Sequence, residues 1–138
     1  LELKQQYLEI VAFLTNCGGI YQLLDTATCM NVIDGLTHGR VLLSRDKLGR
    51  LQRVLIYWRV RPEDLELVKS GGKPKDVASG SLLYIAECAG VDGRPGLVRT
   101  IKALRESQAG FEGVCWHSRC NRPELFRLFP GRQAEGDL

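Results

Sequence analysis

The stretch Ser81-Leu82-Leu83-Tyr84-Ile85-Ala86-Glu87-Cys88-Ala89, running into Gly90-Val91-Asp92-Gly93-Arg94-Pro95-Gly96, decides the fold. Its first nine residues are apolar on both alternating faces: Leu83, Ile85 and Ala89 flank Glu87 on one, and Leu82, Tyr84, Ala86 and Cys88 make the other. A strand apolar on both sides is central and covered on both sides. The seven residues from Gly90 read as a glycine-rich loop, and Leu97, Val98, Ile101 and Leu104 then mark a helix from about Pro95 to Ser107. Phe111 to Ser118 returns to a strand pattern. A strand, loop, helix and strand in succession imply two parallel neighbours joined by a right-handed crossover.

Working outward, Leu3, Tyr7, Ile10, Val11 and Leu14 recur at helical spacing, and Cys17-Gly18-Gly19 ends that helix. Ile20, Leu23, Leu24 and Ala27 predict a second helical stripe, continued after a break by Val32, Ile33 and Leu36 up to His38-Gly39. The period then changes to two. Arg40 to Asp46 and Leu51 to Val60 read as an antiparallel hairpin across Asp46-Lys47-Leu48-Gly49. Pro62-Glu63-Asp64 opens a short helix that Gly71-Gly72 stops, and Lys73 to Gly80 is a polar loop. Pro123 is read as opening a last helix with Leu125, Phe126, Leu128 and Phe129. The expected class is α/β, with a mixed, largely antiparallel sheet flanked by helices. Residues 1–130 form one domain on this reading, and 131–138 form a polar tail.

Composition narrows the function. The chain has 138 residues, 44% hydrophobic and 25% charged, as in an ordinary globular domain. No apolar run approaches the ~20 residues of a membrane-spanning helix. Glu2, Lys4 and Glu9 interrupt the N-terminal apolar pattern, unlike a signal peptide. Five cysteines at irregular spacing argue against a disulfide framework and for free thiols in a reducing cytoplasm. Cys115, His117 and Cys120 lie close together, but no second ligand pair accompanies them, so no metal site is expected. The net charge of +3 is a mild excess, spread along the chain rather than gathered in a stripe.

Gly90, Gly93 and Gly96 free the backbone to turn N–H groups toward an anion, and Arg94 adds a side-chain charge. A pyrophosphate suits such a turn; turn geometry alone would also account for the glycines. No Gly-Lys-Ser or Gly-Lys-Thr follows, so this is not a P-loop. Glu87 sits on an apolar strand face, where burial raises a carboxyl toward the range useful to a general base. Fraying into solvent, or pairing with a hairpin arginine, is the alternative for Glu87. His117 is a second acid–base candidate, and a structural histidine equally. Arg53, Arg59, Arg61 and Arg119, with Tyr57, would line a groove for a polynucleotide or lie on solvated strand faces.

The order of elements, with the strand at Ser81–Ala89, the Gly90–Gly96 loop, the helix to Ser107 and the strand at Val114–Ser118, resembles the GNAT superfamily of acyl-CoA-dependent N-acetyltransferases. In that family a strand leads into an Arg/Gln-x-x-Gly-x-Gly/Ala loop that binds the pyrophosphate of coenzyme A. The next parallel strand splays away to admit the pantetheine arm. The resemblance implies a GNAT-like architecture that binds acetyl-CoA or another acyl-CoA as co-substrate. Gly90, Gly93, Arg94 and Gly96 would hold the pyrophosphate, the backbone of Ile85 and Ala86 the pantetheine amides, and Asn121 would stand in the following stretch. It also implies Glu87 as the base for an amine acceptor. This chain departs from the family in its Gly-x-x-Gly-x-x-Gly spacing, in Pro95, which lacks an N–H, and in having Phe126 and Phe129 where a tyrosine acid is usual. The other readings are a non-catalytic protein-interaction module on the same scaffold, or a nucleic-acid-binding accessory protein. The exposed hairpin edge offers a surface on which two chains would pair as a homodimer.

Overall fold

The structure is a computed structural model that describes residues 2–108, 110–118 and 123–130. It is α/β. Its helices are α1 (Leu3–Cys17), α2 (Thr26–His38), α3 (Leu65–Lys69) and α4 (Gly93–Ser107), and its strands are β1 (Val41–Arg45), β2 (Leu51–Val60), β3 (Leu82–Gly90), β4 (Gly113–His117) and β5 (Phe126–Pro130). The five strands make one mixed sheet in the order β1-β2-β3-β4-β5. β1 and β2 are antiparallel, β3 and β4 parallel, and β4 and β5 antiparallel. Among the described residues no helix is long and apolar enough to cross a membrane.

The described residues group into two compact units. The first runs through Tyr57 and resumes over Ala86–Leu104. Its core packs Ile10 and Leu14 of α1 and Val32 of α2 against Leu51, Val54 and Ile56 of β2, with Tyr21 and Ala89 completing the cluster. Each of the Ile, Leu and Val side chains contributes about 1.5–3 kcal/mol by leaving water. Gly35 brings α2 onto the hairpin, because a Cβ there would come within 2.9 Å of Ile56 Cγ2 and Val41 Cγ2. The second unit spans Trp58–Ile85 and the residues from Arg105 on. It buries Val60, Val68, Leu82, Leu83, Val114 and Cys115. Its parallel pairing joins Leu82, Leu83 and Tyr84 to Gly113, Val114 and Cys115.

Three expectations need correction. The stripe through Ile20, Leu23 and Leu24 is not helix α2. Gly18 and Gly19 take positive φ, a short 3-10 turn follows over Gly19–Tyr21, and α2 begins only at Thr26. Asp25 sets that start, its Oδ1 accepting the Thr28 N–H at 2.7 Å. Ile20 and Leu23 are consequently 78% and 87% exposed. The helix expected after Pro123 is instead a 3-10 turn followed by β5, whose residues Phe126 to Pro130 pair with β4. Five residues with apolar side chains at Phe126, Leu128 and Phe129 fit either period, and the partner strand decides. The glycine-rich loop is also shorter than expected. Gly90 closes β3, Gly93 opens α4, and only Val91 and Asp92 lie between them.

Candidate functional site

Glu87 lies in the first unit, half-buried on β3. The double glycine after α1 turns the chain sharply enough to insert Tyr21, which is 6% exposed. The Tyr21 hydroxyl stands 3.2 Å from Glu87 Oε2 and 3.2 Å from the Cys88 backbone nitrogen. The N–H can only donate, so the phenol oxygen accepts from Cys88 and its single hydrogen goes to the carboxylate. Thr28 and Asn31, both buried on α2, complete the surroundings. Burial holds the Glu87 carboxyl above the ordinary carboxylate range. The negative charge of Asp25 adds to the rise, while hydrogen bonds from Tyr21, Asn31 and Thr28 oppose it. A carboxyl so placed binds a proton more readily than an exposed one.

The sequence singled out Glu87 but missed Tyr21, Thr28, Asn31 and Asp25. A signal existed: Thr28, Asn31, Val32 and Gly35 fall on one buried stripe of α2. Polar residues at core positions of a helix mark a special site.

The anion cradle differs from expectation. Arg53, expected on a groove or a solvated strand face, is instead buried, and its guanidinium passes beneath Gly90 to reach Asp92. Its Nε donates to Asp92 Oδ1 at 2.9 Å and its Nη2 to the Gly93 carbonyl at 3.1 Å. The two side chains are 8% and 10% exposed. A Cβ on Gly90 would collide with the guanidinium, and one on Gly96 with the Asp92 carboxylate. The glycines therefore make room for the chain's own ion pair. The physical reason is that an anion is favoured at a helix N-terminus, and Asp92, immediately before α4, supplies one covalently. Asp92 Oδ2 has no hydrogen-bond partner among the described residues, with Arg99 no nearer than 4.0 Å. Of the residues expected at the pyrophosphate, Gly90 ends a strand, Gly96 is buried, and Gly93 and Arg94 are exposed in the first turn of α4. Ile85 and Ala86 are half-buried on β3. Asn121 lies outside the described residues.

His117 belongs to the second unit. Its Nε2 donates to the Lys69 carbonyl at 3.0 Å, which leaves Nδ1 to accept the Tyr84 hydroxyl at 2.7 Å. Phe126 meets its ring edge-on, at 5.4 Å between centroids. With both nitrogens engaged there, His117 ties α3 to β3 and β4. Cys115 Sγ donates to the Leu83 carbonyl, and Cys120 lies outside the described residues. Among the described residues no group of three His, Cys, Asp or Glu side chains is placed to hold a metal ion.

The arginines of the nucleic-acid reading are likewise engaged. Arg59 Nε donates to the Gly80 carbonyl, and Arg61 pairs with Glu63 and Asp64; Arg119 lies outside the described residues. A separate groove of about 270 Å³ lies between α1 and α2, lined by Leu3, Lys4, Tyr7, Ile33, Leu36 and Thr37. None of those side chains offers a carboxylate or imidazole. In comparison with known proteins, no family model and no curated protein matches the chain.

Proposed function

We propose that the chain is an acyl-CoA-dependent N-acyltransferase, with Glu87 the base that takes the proton of an amine acceptor. The amine nitrogen attacks the thioester carbonyl, the C–S bond breaks, and the coenzyme A thiolate leaves while Glu87 holds the amine's proton. The observation that carries this reading is Glu87 itself, a half-buried carboxyl on the central strand whose ionisation is displaced upward by burial. One feature supports it: the element order of the sheet is compatible with a GNAT-like architecture. The pyrophosphate would lie at the exposed first turn of α4 with Arg94, outside the Arg53–Asp92 pair rather than between the glycines. The cytoplasm is part of the same reading, since Cys17, Cys29, Cys88 and Cys115 are free thiols.

One observation favours a second reading, a non-catalytic interaction module on this scaffold. The Asp92 carboxylate already sits against Gly96, where the diphosphate was expected. Thermal melting with and without millimolar acetyl-CoA separates the two, because a ligand that binds only the native state raises its stability. The acyltransferase reading expects a rise that Arg94→Glu abolishes. No rise in either protein favours the interaction module.

A further inference from the structure

Glu87 has three rotatable side-chain bonds, and a base is effective only if it is held where the proton will be. We propose that Tyr21 is the positioning residue for Glu87: its buried hydroxyl, anchored on the Cys88 N–H, fixes the Glu87 carboxylate in one orientation toward the acceptor amine. The inference rests on the acyltransferase reading for its purpose, but not for its geometry. Both Tyr21 bonds are 3.2 Å, and their directions are dictated by the donors available. The anchor is rigid because the donor is main chain in a central strand. Burial and the facing Glu87 charge hold the phenol well above its ordinary range, so it keeps its proton and remains a donor at every working pH. The Gly18–Gly19 turn exists in a form that puts this ring into the core, while its neighbours Ile20 and Leu23 stay in solvent. The groups that face Glu87 are Tyr21 from the 3-10 turn, and Asp25, Thr28 and Asn31 from the start of α2. Asp25 is the charged one among them, and it disfavours the carboxylate that Tyr21 favours. Removing Tyr21's hydroxyl therefore tips the balance toward the protonated acid and loosens the side chain together.

The test is a carboxyl-carbon NMR titration of Glu87 in the wild type and in Tyr21→Phe, alongside the pH dependence of kcat/KM with acetyl-CoA and an aliphatic amine. The midpoint in Tyr21→Phe is expected to move up by about one pH unit, the size of a lost hydrogen bond to a charged group. The acidic limb of kcat/KM should move by the same amount, with kcat falling more than KM changes. An unmoved midpoint overturns the proposal. If Tyr21→Phe does not fold, the ring-carbon resonance of Tyr21 is followed instead. It should shift in step with Glu87 in the wild type and stay flat in Glu87→Gln, and a flat wild-type response overturns the proposal equally. A moved midpoint in a protein that releases no coenzyme A sinks the acyltransferase reading while the coupling stands. An unmoved midpoint in an active enzyme sinks the coupling alone.

Discussion

Replacing Gly96 with alanine forces the Asp92 carboxylate out of its place, because the new methyl group would occupy the position that carboxylate holds. Gly96 has no positive φ, so alanine suits its backbone, and the helical substitution alone is worth about 1 kcal/mol in favour of the variant. Against that stands the Arg53 guanidinium, 8% exposed, which would lose its counter-ion. Removing one member of a buried pair costs about 3–5 kcal/mol, so the net effect of Gly96→Ala should be a loss of about 2–4 kcal/mol. In an Asp92→Ala background the obstruction is gone, and the same substitution should stabilise by about 1 kcal/mol. The sign reverses, and the coupling between the two sites comes to about 3–5 kcal/mol. Urea unfolding of the four proteins measures this, with midpoints moving at unchanged slope. Equal destabilisation by Gly96→Ala in both backgrounds would show that the glycine is not keeping room for Asp92, and the account of the cradle would be wrong.

Gly35→Ala should cost about 1 kcal/mol net, since overpacking against Ile56 and Val41 outweighs the better helix propensity; a stabilised variant in urea unfolding would contradict the close approach of α2 to the hairpin. Arg45 holds the Glu9 carboxyl below its ordinary range, so this pair stabilises above the unfolded carboxylate value, and the effect fades as pH falls through the lowered folded one. Both side chains are 35% exposed, so solvent screening limits Glu9→Gln to a loss of about 0.5 kcal/mol at neutral pH, vanishing in acid, as urea titrations at several pH values would register. Burial pushes the Cys115 thiol up to about 12, so alkylation followed by peptide mass spectrometry should leave it unmodified in the native protein and label it after denaturation.

Much of the fold was legible because it is local. The period-two alternation from Leu51 to Val60, the turn at Asp46–Gly49 and the 3.6-residue spacing from Leu3 to Leu14 each declare their element within a dozen residues. The site was legible only at Glu87, where a carboxyl interrupts an apolar strand. What surrounds it comes from far away in sequence: Tyr21 precedes it by 66 residues, and Arg53 precedes Asp92 by 39. Glycine spacing gives the space but not its occupant, so Gly90 and Gly96 suited a diphosphate and the chain's own ion pair equally well. The same limit explains β5. Nothing within Phe126–Pro130 distinguishes a strand from a helical turn until Val114 and Trp116 appear opposite Phe129 and Arg127.

The central claim is that burial readies Glu87 to take a proton from an amine, and the direct measurement is thiol release from acetyl-CoA in the wild type and in Glu87→Gln, paired with acetyl-CoA affinity by calorimetry. Loss of a general base should slow release by about 10²–10⁴-fold while affinity is unchanged. Release from Glu87→Gln at the wild-type rate, or none from the wild type with any amine offered, would contradict it.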